Sequence, residues 1–170
     1  MADNSVSAQR RFSRIADVAR RDRVARVVNA PLDRVFDALV DRVALEEWLG
    51  PEGMTARFER FDPTPGGSYR LILTYADPAG AGAKSSDDSD IVEARYVDIV
   101  QNDRVVQAVD FVSDDSAFAG TMTMTWAVRA TDDGTLVEFI ADDVPVGISA
   151  EDHVAGMYSS LTNLARYLGT

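Results

Sequence analysis

The chain has 170 residues, 46% of them hydrophobic and 26% charged; this is the make-up of one ordinary globular domain, and no run approaches the ~18 apolar residues that a membrane span needs. It contains no cysteine and one histidine, His153, which excludes disulfide frameworks, thiolate zinc sites, cysteine nucleophiles and two-histidine metal motifs; no metal and no cofactor is expected. The net charge of -11 is unevenly spread: residues 1–28 hold seven arginines against Asp3, Asp17 and Asp22, for +4, leaving -15 for the rest, an acidic body that repels phosphate backbones and argues against nucleic acid as a partner.

Residues 1–22 read as a basic tail or short helix, with Phe12, Ile15 and Ala19 at a spacing that gives one apolar helical face. Such a segment either frays or packs on the domain, or docks an acidic partner or an anionic membrane. It lacks the apolar core of a secretory leader, so a cytoplasmic location is expected. The folded domain is expected over 23–170. It opens with a strand at 23–28 and a helix at 32–40 carrying Val35, Phe36 and Leu39 on one face, with Pro31 at its entry. A further helical turn at 45–48 is stopped by Gly50-Pro51.

From there the pattern alternates with period two, giving strands near 54–62, 68–76, 90–100, 104–112, 119–131 and 134–142. The breaks are Pro63 to Gly67, the Gly, Ser and Asp-rich stretch 77–89, Gln101 to Asp103, Ser113 to Ser116, and Asp132-Asp133-Gly134. Short turns between consecutive strands imply an antiparallel meander, and 77–89 is the one segment whose composition suits disorder. In Thr121 to Trp126 the threonines share one face while Met122, Met124 and Trp126 share the other, so one face of the sheet is buried. The last element is a helix capped by Ser149, with Asp152 three residues on, running to Leu168 with Val154, Met157, Leu161, Leu164 and Leu168 in one stripe. Strand, helix, a run of strands and one long amphipathic helix is an α+β order.

Several motifs now stand in order: Asn29-Ala30-Pro31 with Val35-Phe36-Asp37-Ala38-Leu39, then Trp48-Leu49-Gly50-Pro51, Gly66-Gly67, Asp103-Arg104-Val105-Val106, Gly134-Thr135, and His153 to Met157 followed by spaced leucines. In this order the chain, from about Arg23 to Leu168, resembles the START-related helix-grip (SRPBCC) superfamily, in its branch of activator-of-heat-shock-protein-90-ATPase-like domains. The resemblance implies a helix-grip fold, a curved antiparallel β-sheet wrapped around a long C-terminal α-helix. The superfamily includes lipid carriers, aromatase and cyclase-like proteins and co-chaperone domains, so the fold by itself does not choose among these activities. The sequence departs from the pattern at Met157 and Phe111, which stand where tryptophan is usual, and at Gln101-Asn102, which replace a proline turn; the first two touch expected pocket walls.

The ligand-binding candidates are Trp48, Tyr69, Leu71, Leu73, Phe111, Met122, Met124, Trp126, Phe139, His153, Met157 and Leu161. Each of the apolar ones serves equally as packed core or as pocket lining. Trp48 is expected either in the core or closing one end of a cavity with its indole N–H at the rim. His153 is the only catalytic candidate, as an acid, base or hydrogen-bond partner, if it is not simply solvated; its partner would come from Asp142, Asp143 or Tyr158. There is no Gly-x-Ser-x-Gly elbow and no phosphate-cradling glycine loop. The clusters Asp87-Asp88-Asp90, Asp114-Asp115, Asp132-Asp133 and Asp142-Asp143 are expected at loops or strand ends, as solvated turns or, less in keeping with their spacing, weak calcium sites, and Glu93, Arg95 and Glu138 on the outer face of the sheet. The expected function is binding of a small hydrophobic or aromatic ligand between the sheet and the C-terminal helix. The alternatives are a cyclase or aromatase-like enzyme, or a chaperone-associated interaction domain. Self-association into a homodimer stays open.

Overall fold

The computed structural model describes residues 20–77 and 88–170. Among these, seven strands form one antiparallel sheet: β1 (Arg21–Val28), β2 (Met54–Phe61), β3 (Ser68–Tyr75), β4 (Ser89–Val100), β5 (Arg104–Phe111), β6 (Met122–Thr131) and β7 (Gly134–Asp142). Strands β2 to β7 follow one another as a meander, and β1 closes the order by pairing along β7. Helices α1 (Leu32–Val40) and α2 (Arg42–Trp48) lie between β1 and β2, and α3 (Ala150–Tyr167) ends the chain.

The curvature has local causes. Glu59 is an extra residue in β2, between the pairs Phe58–Leu71 and Arg60–Arg70, and Val97 is an extra residue in β4, between Tyr96–Gln107 and Asp98–Val106. Each such bulge bends its strand and sharpens the twist. Gly134 has a φ of +136°, and a Cβ there would lie 2.2 Å from the Val28 carbonyl oxygen, so only glycine lets the β6–β7 turn meet the end of β1. Next to it the buried Thr135 hydroxyl donates to the Ala30 carbonyl at 2.8 Å and ties that turn to the entry of α1.

Helix α3 forms where the spacing predicts. Ser149 Oγ accepts from the Asp152 amide at 3.1 Å, and Met157, Leu161, Leu164 and Leu168 are buried in one stripe with Val154 partly covered; each fully buried leucine contributes about 1.5 to 3 kcal/mol. The flank of the helix beside this stripe, from the buried Ser160 round to Ser159, holds the 49–52 loop through polar bonds. Ser160 Oγ donates to Leu49 O at 2.7 Å, Asn163 Nδ2 to Gly50 O at 2.8 Å, and the Glu52 amide donates to Ser159 Oγ at 2.7 Å.

Several boundaries differ from the sequence reading. Helix α2 starts at Arg42, three residues earlier than expected, because the Asp41 carboxylate caps it by accepting from Ala44 N at 2.8 Å. Strand β1 starts at Arg21, because Arg21 and Asp22 continue the ladder with β7 opposite Asp142 and Ala141. Strand β6 starts at Met122 rather than near 119, since residues 116–118 form a single 3-10 turn and Gly120 takes a φ of +102°. Two aspartates of the acidic clusters stand at strand ends, as expected, but neither is a solvated turn residue. Asp90 lies on β4 and is 2% exposed, with the Tyr75 hydroxyl 3.1 Å away, and Asp142 lies on β7, paired with Arg21 at 2.6 Å. Glu93, Arg95 and Glu138 do face outward, where Arg70 pairs with Glu93 and Arg23 with Glu138 at 2.5 Å. The stretch 78–87 and residues 1–19, which carry the expected disordered loop and most of the basic tail, lie outside the described residues.

Candidate functional site

Side chains of directly opposed residues on antiparallel strands project to the same face, so the register assigns the concave surface. On β3 it carries Tyr69, Leu71 and Leu73; on β4 Asp90, Val92, Ala94 and Tyr96; on β5 Val105, Gln107, Val109 and Phe111; on β6 Met122, Met124, Trp126 and Val128; and on β7 Val137, Phe139 and Ala141. Every apolar ligand-binding candidate from the strands is on this face, and Met157 and Leu161 of α3 are buried in the same hydrophobic core.

At one end the face is closed. Trp48 is 0% exposed and its indole N–H donates to Ala38 O at 2.8 Å. Its ring lies 5.5 Å from that of Trp126 and 5.8 Å from that of Phe139, which are themselves 5.6 Å apart. Edge and offset contacts of this kind, with the Trp48 polar hydrogen satisfied, make a packed cluster; Trp48 therefore belongs to the core and its N–H to a buried carbonyl rather than to a rim.

The β3–β5 end is different. Tyr69 and Gln107 are both buried, and the Tyr69 hydroxyl donates to Gln107 Oε1 at 2.6 Å. Tyr96, directly opposite Gln107, puts its ring 5.5 Å from Tyr69, and Phe58 meets Tyr69 edge-on at 5.3 Å. The Tyr96 hydroxyl and Gln107 Nε2 are buried with no hydrogen-bond partner, a condition that ordinarily costs about 1 to 3 kcal/mol per group. Burial, followed by the neighbouring Tyr96, pushes the Tyr69 hydroxyl well above the usual phenol range; burial, followed by Asp62, does the same for Tyr96. Both phenols thus keep their protons. On the same face Met124, beside Gln107, and Leu73 and Phe111, farther along their strands, are only partly buried, although their register partners Gln107, Asp90 and Val92 are covered. Farther along, the Tyr75 hydroxyl is pushed up to about 12, by burial first and then by Asp90.

His153 lies in the first turn of α3, and its Nδ1 is 2.8 Å from Asp22 Oδ2. Arg20 binds the same carboxylate through two bonds, at 3.1 and 2.7 Å, and donates to the Ile148 carbonyl. The hydrogen bond from Arg20 is the largest influence holding the Asp22 carboxyl below its usual range, so the carboxylate is the acceptor and the imidazole donates from Nδ1. The triad joins the start of β1 to the start of α3. Of the partners that the sequence suggested, Asp142 pairs with Arg21, the Asp143 amide donates to the Arg20 carbonyl, and Tyr158 is 49% exposed on the outer side of α3. The actual partner, Asp22, falls in the stretch read as tail.

Two surface clefts complete the picture. One, of about 950 Å³, runs between the 50–54 loop and the outward side of α3, past Glu47, Glu52, Tyr158 and Arg166; the other, of about 670 Å³, separates α1 from Tyr167 and Leu168. Neither is lined by any of the twelve candidates. Among the described residues no three acidic or histidine side chains gather as a metal site, and no helix is long and apolar enough to cross a membrane.

The residues that sequence reasoning missed are Tyr96, Gln107, Arg20 and Asp22. Gln107 did leave a trace: in Val105, Gln107, Val109, Phe111 it is the single polar residue on an otherwise apolar alternation.

A long meander bent into a half-wrap around one C-terminal helix, with its candidates on the concave side, is a helix-grip protein. The chain belongs to the family of Activator of Hsp90 ATPase homolog 1-like proteins, whose model matches residues 29–169. Among solved structures it is similar to a protein from Chromobacterium violaceum, at 27% identity with a TM-score of 0.77, over 88% of this chain and 97% of that one. The fold is shared with a protein from Arthrobacter aurescens, at 18% identity and a TM-score of 0.72, over 88% and 86% of the two chains. It is shared too with DynU16, a protein in the dynemicin biosynthetic locus, at 22% identity and a TM-score of 0.62, over 88% of this chain and 47% of that one. No curated protein matches the chain significantly.

Proposed function

We propose that this chain is a ligand-binding module that holds a small apolar or aromatic compound on the concave face, between the sheet and α3. The observation that carries the reading is the partial exposure of Leu73, Phe111 and Met124. All three occupy inward register positions beside buried partners, where a filled interior would cover them as it covers Trp126 and Phe139. Apolar surface left open on a concave face gains free energy when an apolar guest displaces water from it, roughly 25 cal/mol for each Å² covered. Met124 suits such a wall because its unbranched thioether adapts to guests of different shape.

In this reading Tyr69, Leu71, Met122 and Leu161 form the floor and sides, while Trp48, Trp126, Phe139 and Met157 brace them from the packed end. His153 acts as a strut rather than an acid or base, since its ring is committed to Asp22. Titration of the purified protein with a panel of lipids and aromatic metabolites is expected to quench tryptophan fluorescence saturably, and native mass spectrometry is expected to retain the adduct. A panel without a single saturable binder refutes the proposal. A cyclase-like enzyme is separated from a carrier by His153→Ala: turnover collapses in the first case, whereas binding barely changes in the second.

A further inference from the structure

We infer that Gln107, oriented by Tyr69 and flanked by Tyr96, is a polar anchor that selects ligands carrying a neutral hydrogen-bond acceptor of the carbonyl class. The inference rests on the ligand-binding reading above and adds the chemistry that the site recognises.

The argument starts from the hydrogen-bond inventory. A buried phenol must place its proton on an acceptor, and Tyr69 places its own on Gln107 Oε1 at 2.6 Å. That bond fixes which way the amide points: Oε1 is turned to Tyr69, and the two hydrogens on Nε2 are left without a partner at a residue that is 0% exposed. On the adjacent strand, directly opposite, the Tyr96 hydroxyl is the second buried group without a partner. The patch therefore offers donors in excess of acceptors. The extra residue Val97 follows Tyr96 immediately, so the bulge falls beside this pair of residues, and bulges next to binding sites re-aim the side chains around them.

Position on the face separates a ligand from a trapped water molecule. A structural water needs two to four polar partners and a closed polar niche. Here Met124 lies opposite Gln107 on the other side and is only partly buried, so the amide sits at the edge of the apolar surface open to a guest. An apolar body resting on Met124 brings an acceptor at its end to the amide hydrogens.

Charge decides the kind of acceptor. The concave strand positions of β3, β4 and β5 hold no lysine or arginine; their only charged member is Asp90, on β4. A carboxylate guest beside Gln107 would find no countercharge on these three strands, and Asp62 already acts on Tyr96 with a negative field. An unpaired buried anion is far more costly than a neutral carbonyl that receives a hydrogen bond. The preferred guests are ketones, aldehydes, esters or amides on an apolar or aromatic frame.

The test is calorimetric titration of the full chain with three matched probes: 2-acetylnaphthalene, 2-ethylnaphthalene and 2-naphthoate. The ketone is expected to bind about tenfold more tightly than the hydrocarbon, the factor that corresponds to one added hydrogen bond of about 1.4 kcal/mol, and the carboxylate more weakly than either. In Gln107→Leu the ketone and hydrocarbon are expected to converge. Tyr96→Phe removes only a hydroxyl that has no partner; it is expected to keep the fold and narrow the gap. Equal binding of ketone and hydrocarbon to the natural chain overturns the anchor and leaves the apolar site standing. A ketone preference that survives both substitutions likewise overturns it. Absence of heat from all three probes, together with a lipid panel that also fails, overturns the ligand-binding reading and the anchor with it.

Discussion

The two ends of the concave face are built from the same strands and obey different rules. At the Trp48 end three aromatic rings lie within 6 Å of one another, the Trp48 indole N–H has its carbonyl, and Leu161 and Leu164 of α3 are 0% exposed. At the Gln107 end two buried polar groups have no partner and the neighbouring Met124 is partly uncovered. The difference follows from where α3 lies. It packs on β1 and on α2, while α1 packs on β6 and β7, so helices cover that side of the sheet more completely than the β3–β5 side. One end stabilises the fold, and the other retains unsatisfied chemistry that a guest can satisfy.

The largest expected effect breaks the sealed end. Trp48→Ala removes a fully buried indole in contact with Trp126 and Phe139 and is expected to cost about 3 to 5 kcal/mol in a urea unfolding series. The comparison sharpens if Met124→Ala, at the open end, costs about 1 kcal/mol or less in the same assay while Leu161→Ala costs about 2 to 5 kcal/mol; equal losses at the two positions would mean that both ends are equally packed.

A smaller effect concerns the strut between the elements. Asp22 is 5% exposed and serves both Arg20 and His153, so Asp22→Asn is expected to cost about 2 kcal/mol, below the range for a fully enclosed pair because Arg20 is 30% exposed. The sign of its pH dependence follows from the direction of the shift. The Asp22 carboxyl is held below its usual range in the folded protein, so its contribution is present above the unfolded-state value near pH 4 and is lost as pH falls through the lower folded-state value. Acid titration of stability by circular dichroism should show a steeper decline below about pH 4 for the natural chain than for Asp22→Asn.

The smallest effect has the opposite sign. Tyr69→Phe combined with Gln107→Leu removes the buried polar pair and its unpartnered Nε2 together, so stability is expected to be unchanged or to rise by about 1 kcal/mol, measured by thermal unfolding. A loss of several kcal/mol would show that the pair is a satisfied structural network and would erase the contrast between the two ends.

Much of this was legible in the chain. The period-two run from Met122 to Trp126 predicted a sheet with one buried face, and the three- and four-residue steps from Val154 to Leu168 predicted the helix that covers it, because side-chain periodicity is a local property of strands and helices. The Ser149 cap was equally local. The site resisted such reading for reasons that are also physical. Asp90 looked like part of a solvated acidic run, and only the pairing of β3 with β4 buried it beside Tyr75. His153 had no visible partner, because Asp22 lies 131 residues away along the chain.

The sequence by itself determined the α+β order, the antiparallel meander, the burial of one face of the sheet and the absence of cysteine chemistry, since each depends on composition or on spacing within one element. Only the tertiary structure decided which inward residues are sealed and which stay partly open, that Trp48 belongs to the core, and that Gln107 and Tyr96 face each other with polar groups unmet. Those outcomes depend on strand register, on two bulges and on the line that one helix takes across a curved sheet, and no stretch of neighbouring residues encodes them alone.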